Sequence, residues 1–397
     1  MMLGSKGILP QLMLRIAPLL RNSRNSTNTS NFAYLQANLL LVGVWWVKPV
    51  YSNLHVNMHY YILLTLASCY KKYWNMERQE GINIMDRHIE VIGIDHGWSG
   101  MKTSRFCFTS GVKEITTEPA MKENILGYKG KFYKIGGKRL EVKENKIQDN
   151  NYYLLTLAAL AKELKARKKY SARVLIAVGL PLARFGAEKE GFIRYLSKEK
   201  EVSFVFEDER FSVIIERVSV YPQCYGAVAD KLYKYPDMVT AIDLGSWTLD
   251  VMPVVNRDPD ESRCVTLPHG VITCIQQINR ECVRQLNGEA DEAQIQQFLI
   301  NGGGNLPEKY QDIVVNEVSG YCRQIYHHIR ELGYNLDVMP FIFCGGGALL
   351  MKQFGGISQS NIHFVEDVRA NAKGFELLGR AYINSTDGRK TSQAGGN

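Results

Sequence analysis

Ala241-Ile242-Asp243-Leu244-Gly245-Ser246-Trp247-Thr248-Leu249-Asp250 reads as a strand, a tight polar turn and a second strand. Val239 to Ile242 is β-prone and largely apolar, Gly245 gives the backbone room to turn, and Thr248 to Val255 resumes an extended run broken only by Pro253. Successive backbone N–H groups at such a turn form a concavity that suits an anion, and the hydroxyls of Ser246 and Thr248 can add donors. The Asp243 carboxylate is placed to hold a metal-bound water. The pattern predicts a phosphate-binding hairpin, although a single D-x-G turn carries little information.

A second copy carries more. Ile92-Gly93-Ile94-Asp95-His96-Gly97-Trp98-Ser99-Gly100-Met101-Lys102 repeats the plan, with Ile-Asp-x-Gly recurring 148 residues apart. A repeat at that period implies two related domains rather than a solenoid of small units. Two such turns can clamp one polyphosphate from both sides. Lys102 follows Asp95 by seven residues, close enough to reach phosphates held by the first turn, or else it is an ordinary surface lysine.

Around these two hairpins, 397 residues with 45% hydrophobic content allow two or three globular domains. The formal charge of +8 is concentrated at one end: residues 1–84 supply +6 of it. No basic stripe with interleaved aromatics occurs in the rest, so direct nucleic-acid binding is not expected. Eight cysteines without C-x-x-C spacing fit reduced thiols in a cytoplasm rather than a disulfide framework or zinc site. Within residues 1–84 the apolar runs Leu39 to Val47 and Tyr60 to Tyr70 fall short of the roughly 18 to 20 residues a transmembrane helix needs. This segment is read as a disordered extension, or as sequence translated from a start upstream of Met85, and membrane association is not expected.

From His88 the chain alternates strands and helices. His88 to Ile94 enters the first turn and Thr103 to Phe108 returns from it; Tyr128 to Ile135 is a hairpin. An amphipathic helix covers 151–169, a strand covers Arg173 to Val178 and ends in Gly179-Leu180-Pro181-Leu182, and a helix follows around Glu188 to Leu196. Paired strands Val202 to Phe206 and Phe211 to Val220 lead to Tyr221-Pro222-Gln223-Cys224-Tyr225-Gly226-Ala227, which sets Gln223 at a strand end. Helices are expected at Thr273 to Leu286 and 311–332. Phe341 to Cys344 then runs into Gly345-Gly346-Gly347-Ala348, where three absent side chains let a flat or anionic ligand lie against backbone and helix N-terminus. A last helix reaches about Tyr382, and 385–397 reads as a disordered tail.

Taken in order, D-x-G with a following Lys, G-L-P-L, P-Q-x-Y-G-A, D-L-G-S-W-T-L-D, G-G-G-A-L-L and A-N-A-K-G resemble the actin-like ATPases, and among them the ParM/StbA group of plasmid-segregation proteins, over about residues 88–383. The resemblance implies an α/β, actin-like (ribonuclease H-like) fold with duplicated domains flanking a nucleotide cleft. Domain I would be 85–238 completed by helix 369–384, and domain II 239–368. It further implies phosphates held by Asp95, Gly97, Ser99, Gly100 and Lys102 on one side and by Gly245, Ser246, Trp247 and Thr248 on the other. Adenosine would lie on Gly345, Gly346, Gly347 and Ala348. Gln223 and Asp243 would be catalytic, with Asp95 and Asp243 holding Mg²⁺ through water. The implied ligand is ATP, or GTP as in some relatives; the implied partners are further copies of the chain in a head-to-tail filament and a DNA-binding adaptor protein. In two places this sequence departs from the pattern. Trp98 follows Gly97 where several relatives have a small hydroxyl residue, and Gln223 stands where some have Glu, so slow hydrolysis dominated by positioning is expected. A soluble sugar kinase or phosphatase of the same superfold, or a non-catalytic nucleotide-binding scaffold, are the alternatives.

Overall fold

The computed structural model describes residues 88–143 and 145–394, with side chains as far as Ser385; the readings made for residues 1–84 lie outside these. The described residues belong to one compact unit. Nine strands form the first sheet: β1 (Ile89–His96), β2 (Gly100–Thr103), β3 (Cys107–Thr109), β4 (Val112–Ile115), β5 (Ile125–Tyr128), β6 (Lys131–Ile135), β7 (Ser171–Leu180), β8 (Glu201–Phe206) and β9 (Glu209–Pro222). Their order is β3-β2-β1-β7-β9-β8-β5-β6-β4. The strands β10 (Met238–Leu244), β11 (Leu249–Val255), β12 (Asp258–Pro259), β13 (Val265–Leu267), β14 (Phe341–Cys344) and β15 (Ile362–Phe364) form a second sheet, ordered β12-β11-β10-β14-β15 with β13 also paired to β11.

The duplication seen in the sequence is built into both sheets. β1 pairs antiparallel with β2 and parallel with β7; β10 pairs antiparallel with β11 and parallel with β14. A strand so placed is covered on both faces, which is why β1 reads as an almost unbroken apolar run. Alternate residues serve different cores: Ile92 and Ile94 face one, and Val91 faces another.

The helices are α1 (Asn151–Ala166), α2 (Leu182–Leu196), the single turn α3 (Tyr225–Val228), α4 (Val271–Leu286), α5 (Glu292–Asn301), α6 (Glu308–Glu331), α7 (Ala348–Phe354) and α8 (Ala370–Ala394). α1 is buried along most of its length against β1 and β2. α4, α5, α6 and α7 share one core with β10, β11 and β14. α8 instead packs on β1, β7 and α3, so the end of the chain returns to the first sheet.

Three of the segments read in the sequence have bounds that differ by more than a few residues. Thr103 to Phe108 is not one returning strand: β2 already returns at Gly100, and the Thr103 hydroxyl accepts the amides of Arg105 (3.3 Å) and Phe106 (2.9 Å), turning the chain into β3. α2 begins at Leu182, immediately after Pro181, because a proline just ahead of a helix removes a donor that would have no intrahelical partner. α8 continues to Ala394, beyond Tyr382, since a formed helix adds residues at little cost once nucleated.

Candidate functional site

Each hairpin sets an acidic residue opposite a partner by register. In the first, Asp95 pairs with Lys102 across β1 and β2, so the seven-residue spacing places ammonium and carboxylate on the same face. Lys102 Nζ donates to Asp95 Oδ2 at 3.2 Å, and Gln223 Nε2 donates to Oδ1 at 3.0 Å. In the second, Asp243 pairs with Asp250 across β10 and β11 and with Cys344 of β14. Asp250 is held by the hydroxyls of Thr248 at 2.9 Å and Thr266 at 2.5 Å. Asp243 Oδ2 accepts from Asn371 Nδ2 at 2.7 Å, while Asn371 Oδ1 accepts the amides of Cys224 and Ala227, both at 3.1 Å.

A continuous polar chain therefore runs from Asp95 through Gln223 and its neighbour Cys224 to Asn371 and Asp243. Cys224 sits at φ +69°, a left-handed conformation that costs a non-glycine residue energy and recurs at functional sites. The two turns also share one electrostatic environment, because Lys102 and Asp95 both act on Asp243. Burial pushes the Asp95 carboxyl up, but Lys102 and Lys146 outweigh it and hold it below its ordinary value. Asp243 goes the other way: burial, then the neighbouring Asp250 and Asp95, raise it to about 7 against the opposing Asn371 hydrogen bond. Asp250 is likewise raised, by burial.

The remaining residues singled out in the sequence fall around these carboxylates with varied engagements. Gly97 lies so close to Lys102 that a Cβ there would be 2.7 Å from Nζ, and its carbonyl accepts from Ser110 Oγ at 2.6 Å. Gly100 opens β2. The Ser99 hydroxyl accepts from Arg139 at 3.2 Å, and Arg139 also reaches Glu292 at the start of α5 (3.0 Å). Trp98 packs edge-on against Tyr152, ring centroids 5.7 Å apart. In the second turn the carbonyls of Gly245, Ser246 and Trp247 accept the amides of Val271, Ile272 and Gly270, tying the turn to the start of α4. The Thr248 hydroxyl proton goes to Asp250 rather than outward, unlike the donor role the sequence suggests. Gly345, at φ +84°, abuts Asp243: a Cβ there would sit 2.1 Å from Oδ1. Gly346 follows, the Gly347 amide donates to Leu244 O at 2.8 Å, and Ala348 opens α7. The glycine loop and the second turn are thus one assembly.

Sequence reasoning singled out neither Asn371 nor Asp250, Arg139 or Lys146. Asn371 lies in the quoted A-N-A-K-G at the start of α8, and its partners Asp243, Cys224 and Ala227 meet it only through the docking of that helix. Among the described residues no three His, Cys, Asp or Glu side chains converge to hold a metal ion directly. Mg²⁺ fits nonetheless, because it keeps several waters and needs only one or two carboxylates besides phosphate oxygens. The raised Asp243, crowded by two further carboxylates, is the group such a cation would relieve.

A stability prediction follows from that crowding. A carboxyl raised in the fold above its unfolded value contributes stability that is complete below the unfolded value and is lost as pH rises through about 7. Asp243→Asn keeps an acceptor for Asn371 and removes the charge. Without nucleotide or Mg²⁺, its Tm is expected to exceed that of the wild type at pH 8.5 and to approach it at pH 5. Equal differences at both pH values would show that Asp243 ionises normally.

The family model for the N-terminal domain of actin-like proteins matches residues 97–226. Among solved structures, the chain is similar to Ta0583, an archaeal actin homologue (TM-score 0.62, 21% identity, covering 73% of this chain and 99% of that one), which has also been solved in complex with ADP. It is similar to the Alp12 filament structure (TM-score 0.56, 16% identity, 74% and 98% covered) and to Bacillus thuringiensis ParM with ATP (TM-score 0.57, 12% identity, 75% and 100% covered). No curated protein sequence matches it. The fold is the actin-like one, with two sheets built on the same strand plan. Within that fold class, the solved structures similar to this chain include ParM and an archaeal actin homologue.

Proposed function

We propose that this protein is an actin-like ATPase that assembles into nucleotide-dependent filaments. The observation that carries this reading is the polar chain Asp95–Gln223–Cys224–Asn371–Asp243, which joins the two duplicated hairpins. ATP, with GTP as the alternative purine nucleotide, would place its phosphates between the hairpins and its adenosine against Gly345 to Ala348. The domain limits inferred from the sequence, 85–238 with 369–384 and 239–368, are part of the same proposal. The nucleotides bound to Ta0583 and to Bacillus thuringiensis ParM, and the filament of Alp12, support it by likeness of fold.

The chemistry is in-line attack of water on the γ-phosphoryl group. Gln223 gives one amide proton to Asp95 (3.0 Å), which orients the amide and leaves its carbonyl oxygen to accept a proton of the attacking water. A neutral amide aligns a nucleophile but is a poor base, so turnover is slow and rests on positioning. Mg²⁺, held through water by Asp243 with Asp95 nearby, would take up charge developing on the phosphate oxygens. Lys102 stays charged beside Asp95 and neutralises phosphate on the first hairpin.

Slow hydrolysis suits a timer. A heterologous contact that does not close generates a filament, and a cleft whose angle follows the nucleotide can switch that contact. The further role proposed is segregation of plasmid DNA through a DNA-binding adaptor, in the cytoplasm. Cysteine chemistry supports that location: all seven cysteines among the described residues are free. Among the described residues, no helix is long and apolar enough to cross a membrane.

Light scattering and phosphate release, followed together, test the proposal. Scattering is expected to grow with ATP, to stay flat with ADP or without nucleotide, and to decline as phosphate appears. Phosphate release without any growth of scattering would indicate a soluble phosphotransferase, and neither signal would indicate a scaffold.

A further inference from the structure

Lys146 lies in the loop between β6 and α1 and is only 8% exposed. A buried ammonium carries three donors and is costly unless acceptors meet it. Half-buried cations elsewhere around the first sheet have carboxylate partners: Lys102 pairs with Asp95, and Arg167 with Glu90, Glu163 and Glu376. Lys146 has neither an ion pair nor a hydrogen bond among the described residues. It is held instead over aromatic faces, 5.4 Å from the ring centroid of Trp98 and 5.9 Å from that of Tyr152. Trp98 directly follows Gly97 in the first phosphate turn.

The charged groups that act on Lys146 are Asp95 first, then Lys102, Glu188 and Arg184. Lys146 in turn acts on Asp250 of the second hairpin. It therefore stands within electrostatic reach of both turns. Asp95 does not complete it: its two oxygens are held by Lys102 and Gln223, and no hydrogen bond or ion pair joins it to Lys146 among the described residues. Burial pulls the Lys146 ammonium down to about 8, a position that an arriving anion would reverse.

We propose that Lys146 is a ligand for the terminal phosphoryl group of a bound nucleoside triphosphate, carried to the first turn on the face of Trp98. The inference rests on the nucleotide reading above and adds a residue to it. Trp98 displaces the small hydroxyl side chain from the turn, and the same indole supports a cation that supplies the missing donor. A cation held on Trp98 beside the first turn, and acting on Asp95, would be in place to meet the terminal phosphoryl group. It therefore distinguishes a triphosphate from a diphosphate, which lacks that group.

The test compares the full-length wild-type protein with Lys146→Met and Lys146→Arg, measuring affinities for the non-hydrolysable triphosphate AMPPNP and for ADP, each with Mg²⁺, by calorimetric titration. Lys146→Met conserves volume and removes a desolvated charge, so it is expected to fold; Lys146→Gln serves as a second neutral variant if it does not. The expected result is a loss of at least about tenfold in AMPPNP affinity, the range of one charge-assisted hydrogen bond, with ADP affinity changed less than about twofold. Lys146→Arg should recover most of the loss. A neutral variant that keeps the wild-type ratio of AMPPNP to ADP affinity overturns the inference and leaves the nucleotide reading standing. A wild-type protein that binds neither nucleotide nor inorganic triphosphate overturns both.

Discussion

Asp243→Ala is expected to lower ATP turnover at saturating nucleotide on the order of a hundredfold or more, the range found when one preorganised electrostatic contact is removed from a catalytic site. The reason lies in how the carboxyl is held. It is buried, Asn371 fixes one oxygen at 2.7 Å, and the other abuts Gly345, where only a glycine leaves it room. Burial and two neighbouring carboxylates raise it to about 7, so on the proposed reading its charge would develop fully when a cation arrives with the phosphates. Alanine removes that response while the strand that carries it, β10, stays paired on both sides. The protein should fold, at a cost of about 1–3 kcal/mol for the Asn371 amide left without its acceptor. Phosphate release under single-turnover conditions separates the effect from binding, since rate and affinity report different interactions. Wild-type turnover in the alanine variant would remove Asp243 from the mechanism.

The hairpins were legible in the sequence because both demands on them are local. β1 and β10 must be apolar along their length to lie between neighbours, and the break in that run falls where Asp95 and Asp243 reach the strand ends. Period-two alternation then sets Lys102 opposite Asp95. What fixes Asn371 is not local. Its three partners lie 128, 147 and 144 residues away, and only the docking of α8 brings them together. Lys146 sits in a loop whose composition reads as solvated, and what covers it is Trp98, 48 residues earlier in the chain, together with Tyr152 in the first turn of α1. The end of β2 was misplaced because Cys107 and Phe108 are as strand-prone as the residues before them. Nothing in that pattern reveals that the Thr103 hydroxyl turns the chain.

Gly374→Val is expected to cost about 3 kcal/mol or more of folding stability, at the upper end of what an overpacked core suffers, and to abolish ATP turnover with it. α8 reaches α3 by glycine meeting glycine. A Cβ on Gly374 would stand 1.7 Å from the carbonyl oxygen of Gly226, and the neighbouring atoms are its backbone rather than a side chain that could swing aside. The same helix crosses β1 at Gly93, where a Cβ would lie 1.9 Å from Ala372 O, so α8 has no free direction in which to yield. Asn371 sits one turn before Gly374. A shift of even about 1 Å would stretch its 3.1 Å bonds to the Cys224 and Ala227 amides beyond hydrogen-bonding range. The polar chain between the hairpins would open, and Gln223 would lose the neighbour that fixes its backbone. Stability and turnover should therefore fall together in Gly374→Val, in contrast to Asp243→Ala, where turnover falls far more than stability. Gly320→Ala, in the interior of α6 with only the flexible Arg323 side chain nearby, is the control and should be neutral or stabilising by up to about 1 kcal/mol. Urea unfolding of the three variants measures the contrast. A Gly374→Val protein as stable as the wild type would mean that α8 does not dock through this contact, and that Asn371 cannot be what couples the two hairpins.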